Sequence, residues 1–146
     1  MLAHLILRKQ MLLKSVVIAV IENHQGQILI AQRQNHQTCP GKWEFPGGKV
    51  EPNETLNSAL AREMIEEVNL AIESPTFLFS LPYHYPPDSN IELHIFHVTC
   101  FSGEACGAEG QLTRWVKVNE LSQYQFPPAN QKIIAWLEQR KSKQNS

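Results

Sequence analysis

Residues 48–70 read Gly-Lys-Val-Glu-Pro-Asn-Glu-Thr-Leu-Asn-Ser-Ala-Leu-Ala-Arg-Glu-Met-Ile-Glu-Glu-Val-Asn-Leu. The turn Pro46-Gly47-Gly48 leads into a helix-forming run from Thr55 to Val68. Thr55 suits the N-cap, because its hydroxyl can accept a bond from a backbone N–H two or three residues on. Asn69 suits the stop, because Asn tolerates the left-handed conformation that ends helices nearly as well as Gly does. At roughly 100° per residue, Glu63, Glu66 and Glu67 share one arc of about 100°. That arc also carries Leu56, Ala59 and Leu60 earlier in the helix. One stripe therefore begins apolar and ends acidic, whereas a solvated charged face belongs opposite the apolar stripe.

Three like charges at i, i+3 and i+4 repel one another. Partly buried, they need either raised pKa values or a cation. A donor set of oxygens, with no Cys or His among them, favours a hard divalent ion such as Mg²⁺ or Mn²⁺ over zinc. A hydrated acidic patch is the competing reading, and the helix alone does not decide between the two.

Outward from this stretch, the chain has the length of one compact domain, 146 residues, with ordinary composition and a net charge of −1. That charge excludes a broad nucleic-acid surface, which is basic, but leaves room for local cations that hold one polyphosphate. Cys39, Cys100 and Cys106 form no C-x-x-C pair and read as reduced thiols of a cytoplasmic protein. The apolar run at residues 1–7 is too short to span a membrane and lacks a signal-peptide pattern. Residues 1–10 are expected to be an N-terminal extension, with Met11 the functional start, ahead of a single domain at 11–146.

Before the helix, Ser15–Glu22 is a β-branched apolar run, and Gln27–Gln32 follows after the turn residues Asn23–Gly26. Together they predict a hairpin. Residues 33–42 read as a loop, and Trp43-Glu44-Phe45 as a short strand feeding the glycine turn. After the helix, 71–81 is expected to be extended but broken at Pro75, 83–90 a turn, and 91–101 one strand. His94 and His97 fall on opposite faces of that strand and share no metal site. Residues 102–111, with Gly103, Gly107 and Gly110, read as a flexible loop, and Trp115–Val118 as a last strand. Phe126-Pro127-Pro128-Ala129-Asn130 opens a C-terminal helix with an apolar stripe at Ile133, Ile134 and Leu137, fraying from Arg140 onward. Phe45 and Trp115 read as core.

The pattern of Gly48, Glu54, Arg62-Glu63, Met64, Glu66-Glu67 and Leu70 resembles the Nudix box, with Asn69 where the box has its second glycine. From Met11 to Leu137 the chain is similar to the MutT branch of the Nudix hydrolases. Trp43–Lys49, Ala108-Glu109-Gly110-Gln111 and Phe126–Asn130 extend the likeness. The resemblance implies an α/β fold, an α/β/α sandwich with a central mixed sheet between the box helix and the C-terminal helix. It also implies Mg²⁺-dependent hydrolysis of a nucleoside triphosphate, 8-oxo-dGTP, to monophosphate and pyrophosphate by a monomer.

Carried over by position, the resemblance makes Gly47, Glu63, Glu66, Glu67 and Glu109 metal-binding residues. Lys49 would contact the phosphates, Arg33 the nucleotide and Asn130 the base. Glu54 and Arg62 would orient the carboxylates, with Glu63 as general base and Glu109 as the alternative. Glu109 and Arg33 read by themselves as surface charges, and Asn130 as a helix cap. Ala31-Gln32-Arg33 and Trp43-Glu44-Phe45 also resemble Nudix enzymes of cytidine nucleotides, which leaves CTP as an alternative substrate. A non-catalytic nucleotide-binding regulator is disfavoured, since no box glutamate is missing.

Overall fold

The computed structural model describes residues 14–37, 39–85 and 89–144, so the expectation for residues 1–10 falls outside it. Strand β1 (Lys14–Ile21) lies at the centre because it is apolar on both sides. It pairs antiparallel with β4 (Gly47–Lys49) and parallel with β7 (Ser89–Val98), which pairs antiparallel with β6 (Thr76–Tyr85). The result is a mixed sheet in the order β4-β1-β7-β6. A second sheet orders β3 (Trp43–Glu44), β2 (Gln27–Gln32) and β9 (Thr113–Lys117) as β3-β2-β9. Strands β5 (Ala71–Glu73) and β8 (Cys100–Ser102) form a small ribbon.

Helix α1 (Leu56–Val68) packs Ala59, Leu60, Met64 and Val68 against Val17, Ala19 and Ile21 on one face of β1. On the opposite face, Ile18 and Val20 share a hydrophobic core with Ile133, Ile134 and Leu137 of helix α2 (Gln131–Gln144). The mixed sheet therefore lies between two helices, as the resemblance implied. Truncating Leu60 or Met64 to Ala would open the α1 side at a cost of ~2–5 kcal/mol.

Both ends of α1 behave as read. Thr55 Oγ1 accepts from the Ser58 N–H at 3.1 Å, and Asn69 adopts φ 61° and ψ 37°. Phe45 is core and stacks on Phe126, and Trp115 stacks on Phe101. His94 bonds Ser80 while His97 bonds Glu22, so the two histidines are separate.

Other expectations are corrected. The chain does turn at Asn23–Gly26, but β1 and β2 share only the single bridge Glu22–Ile28 before entering different sheets. Hydrophobic runs buried on both faces do not specify their partner. Of the turn expected at 83–90, Tyr83–Tyr85 instead extend β6 and Ser89–Asn90 begin β7, which pairs with it antiparallel, while residues 86–88 lie outside the described residues. The expected strand at 91–101 is divided between β7 and β8. Helix α2 does not fray at Arg140 but continues to Gln144. Arg140 donates to Glu22 at 2.7 Å and lies over the Trp136 ring, which fastens this turn to the sheet.

Candidate active site

A cleft of about 590 Å³ opens over the α2 side of β1. Ile18, Val16 and Lys14 form its floor, flanked by Gly47 and Lys49 of β4 and by Leu93 and Ile91 of β7. Glu44, Glu63, Glu67 and Glu109 converge at one end, with Arg33 beside them. Phe45, Pro127, Ala129 and Asn130 also line the cleft. Among the described residues, no thiol or imidazole lines the cleft.

The glycine turn brings the acids in. A Cβ on Gly47 would lie 2.2 Å from the Val17 carbonyl oxygen, so only glycine lets β4 approach β1 this closely. A Cβ on Gly48 would lie 2.2 Å from the Glu63 carboxyl carbon and would displace that carboxylate. The Gly47 N–H donates to Glu67 Oε2 at 3.0 Å.

Glu67 is only 9% exposed. Burial, and next the charge of Glu44, push its carboxyl up to about 8, against the bond from Gly47. Burial also raises Glu63 and Glu44, opposed by Arg62 and Arg33 respectively. An acidic group held this far above its ordinary range lacks compensating positive charge.

Arg62 does not line the cleft. Its guanidinium forms a fork on Glu54 (2.7 and 2.9 Å) and reaches Glu63 at 2.9 Å, Glu66 at 3.1 Å and the Lys49 carbonyl at 3.0 Å. Its hydrogen bond holds Glu54 down at about 2. Glu66 lies exposed beyond the lining residues, so the acidic arc is not uniform: Glu67 is buried, Glu63 half-buried and Glu66 at the rim. Among the described residues, no three acidic, His or Cys side chains are gathered tightly enough to form a ready-made metal cage. The all-oxygen donor set and the buried, uncompensated Glu67 nevertheless fit a hard divalent cation.

The loop that carries Glu109 was expected to be flexible but is fastened to α1. Cys106 and Ala108 donate their N–H groups to the Val68 and Glu67 carbonyls at 3.1 and 3.0 Å. These are carbonyls that a helix end leaves without partners. Glu109 is thereby brought to the acidic end rather than left as a surface charge.

Two features escaped the sequence reading. Glu44 sits between buried Trp43 and Phe45, yet lines the cleft in an ion pair with Arg33. A charge between two core aromatics, near a cation in the preceding loop, was the available signal. Lys14 was the other omission; nothing in its local sequence marks it.

Asn130 is 7% exposed, in the 3-10 turn Pro128–Asn130 that opens α2. Its backbone N–H donates to the Pro127 carbonyl at 3.0 Å. No side-chain cap bond is made in this turn, and among the described residues its amide has no hydrogen-bond partner.

Known proteins share this architecture and are similar in sequence. The chain is 36% identical over 122 residues to the 8-oxo-dGTP diphosphatase of Escherichia coli K12, covering 84% of this chain and 94% of that one. It is 38% identical over 116 residues to the CTP pyrophosphohydrolase of the same organism, covering 78% and 84%. The fold superposes with a TM-score of 0.74 on a solved structure from work on MutT of Aliivibrio salmonicida and Vibrio cholerae, at 32% identity, covering 85% of this chain and 95% of that one. With the NUDIX domain matched over residues 12–137, around a glycine turn and a glutamate-bearing helix that form one end of the cleft, the chain belongs to the Nudix family of hydrolases.

Proposed function

We propose that this protein hydrolyses 8-oxo-dGTP to 8-oxo-dGMP and pyrophosphate, clearing an oxidised precursor from the nucleotide pool. The observation that carries the base assignment is Asn130, a cleft-wall residue whose amide opens to the cleft and meets no protein partner among the described residues. Oxidation at C8 turns N7 of guanine into a donor while O6 stays an acceptor. An Asn amide offers one acceptor and one donor and can meet both. Ordinary dGTP sets two acceptors against it and leaves a buried group unpaired, which costs affinity. The reading carries with it a monomer in the cytoplasm that acts on free nucleotides, with residues 1–10 dispensable to a domain at 11–146.

At the acidic end, Glu63, Glu67 and Glu109 would hold a divalent cation, Mg²⁺ with Mn²⁺ as substitute, joined by Glu66 from the rim and the Gly47 carbonyl. When bound, such a cation neutralises the polyphosphate and stabilises the leaving oxygen. Glu63 is the general base: its carboxylate takes the proton of the attacking water as the new P–O bond forms and the α–β anhydride bond breaks. Glu109 is the alternative. Arg62 orients Glu63 and keeps it ionised through a charge-assisted bond. Lys49, at the edge of the floor, meets the phosphates. Arg33, paired with Glu44, borders the nucleotide.

The test compares kcat/KM for 8-oxo-dGTP, dGTP and CTP in wild type and Asn130→Ala. The CTP reading stands second, on the 38% identity to a CTP pyrophosphohydrolase. A wild type that prefers CTP, or an Asn130→Ala protein that keeps the wild-type preference, would overturn the proposed base reading.

A further inference from the structure

The backbone of Glu109 is held at both its N–H and its carbonyl by side-chain amides. Its N–H donates to Gln111 Oε1 at 3.0 Å, and its carbonyl accepts from Gln34 Nε2 at 2.8 Å. The same Gln111 amide turns its Nε2 to the Glu67 carbonyl at 3.1 Å. Its orientation is forced, since an N–H needs the amide oxygen and a carbonyl needs the amide nitrogen. Gln34 follows Arg33 directly, and its own N–H is held by Gln37 Oε1 at 2.7 Å. The loop can close on itself in this way because residue 107 is glycine: a Cβ there would lie 1.8 Å from the Gln111 carbonyl oxygen. One amide thus spans the backbones of Glu67 and Glu109, and a second ties Glu109 to the segment bearing Arg33.

We infer that Gln111 and Gln34 are positioning residues that set the spacing between the Glu67 and Glu109 carboxylates and link it to the Arg33 loop. The inference rests on the proposed role of Glu109 in holding the cation. Both glutamines line the cleft, but their amides are committed to backbone groups of Glu109 and Glu67. Each acts through the backbone of a glutamate, as outer partners do when they orient the groups around a metal.

Gln111→Met and Gln34→Met keep side-chain length and charge but remove the amides. Each should lower kcat for 8-oxo-dGTP by about 10- to 100-fold while KM stays within about threefold. Mn²⁺ binding to the nucleotide-free protein, followed by calorimetry, should weaken by a similar factor. In a Glu109→Gln background, Gln111→Met should have a much smaller further effect on either quantity, because only its hold on the Glu67 carbonyl remains to be lost. Residues that only keep the loop folded would instead lower Tm and exert their full effect in that background.

The inference is overturned if both variants keep wild-type kcat and Mn²⁺ affinity, or if the effects of Gln111→Met and Glu109→Gln multiply in full. Should the wild type turn over another nucleoside triphosphate in place of 8-oxo-dGTP, the substrate assignment falls. The same cycle run on that nucleotide, together with the Mn²⁺ titration, still decides the role of the two glutamines.

Discussion

The acidic end of the cleft and the end that holds Asn130 treat their polar groups in opposite ways. Glu63 is bonded by Arg62, Glu67 by the Gly47 N–H, Glu44 by Arg33, and the Glu109 backbone by two amides. Asn130 lies in the cleft wall with Phe45, Pro127 and Ala129, its amide open to the cleft and bonded to no protein group among the described residues. Groups that must not move when charge develops are fixed in advance, so no reorganisation is needed during reaction. A group that must choose between ligands is left unsatisfied until the right one arrives, because only an open valence makes a wrong ligand costly. Rate and selectivity should therefore be separable by mutation.

The largest expected effect lies at the acidic end. Glu67→Gln should lower kcat by on the order of 10³-fold, the scale of losing a central electrostatic group. The metal-free fold should be unharmed or, toward and above neutral pH, more stable, since an amide removes the cost of protonating or burying the carboxylate. Steady-state rates at saturating Mg²⁺ and a melting curve in chelator check both halves. A mutant with near-wild-type turnover would remove Glu67 from the cation site.

At the other end, Asn130→Ala should leave dGTP turnover almost unchanged. The ratio of kcat/KM for 8-oxo-dGTP over dGTP should collapse by on the order of 10²-fold. Equal losses for both nucleotides would mean that Asn130 supports the helix rather than the choice of base.

A smaller effect appears in stability against pH. In the metal-free protein Glu67 is pushed up to about 8 from an ordinary 4.5. Between those values the folded chain holds a proton that the unfolded chain has released. Stability is therefore greatest below pH 4.5 with respect to this group, and it is lost as pH rises through about 8. Glu44 and Glu63, also raised, act in the same direction. Glu54 and Glu22 are lowered, so their contributions change only below 4.5 and do not obscure the window. Tm in chelator should fall by about 5–10 °C between pH 5 and 8. Saturating Mg²⁺ should restore it, and Glu67→Gln should flatten the slope.

The acidic end was legible in the sequence to the extent that local rules govern it. The acids at i, i+3 and i+4, the cap residues Thr55 and Asn69 and the glycine turn are short-range patterns, and α1 follows them. Long-range pairing was not legible. Nothing in Val16–Ile21 or Ile28–Ala31 says that β1 and β2 part into different sheets. The pairing of β6 with β7 was masked by Pro86-Pro87-Asp88, which suggested a turn at 83–90. The fastening of the Glu109 loop depends on the backbone carbonyls of Glu67 and Val68, which carry no residue identity at all. For the same reason Gln34 and Gln111 looked like ordinary polar residues. The missing partner of Asn130 is likewise a property of its surroundings rather than of its sequence.

The smallest effect concerns the one departure from the box. Asn69 ends α1 in the left-handed conformation, with its N–H on the Met64 carbonyl, and its amide reaches the Glu104 carbonyl at 3.4 Å. Two terms oppose each other in Asn69→Gly. Glycine removes the steric cost of a left-handed residue, up to about 1 kcal/mol. It also loses the side-chain bond, which is long and exposed and therefore worth less than the ~1 kcal/mol of an ordinary one. The added flexibility of the unfolded chain takes back a further ~0.5–1 kcal/mol. The net change should be within about 1 kcal/mol, or about 4 °C in Tm. Turnover should not change, because Cys106 and Ala108 still fasten the Glu109 loop to the helix. A wild-type Tm with reduced kcat would show that the Asn69–Glu104 contact helps to aim Glu109. The rigid acidic end would then extend one residue past the helix.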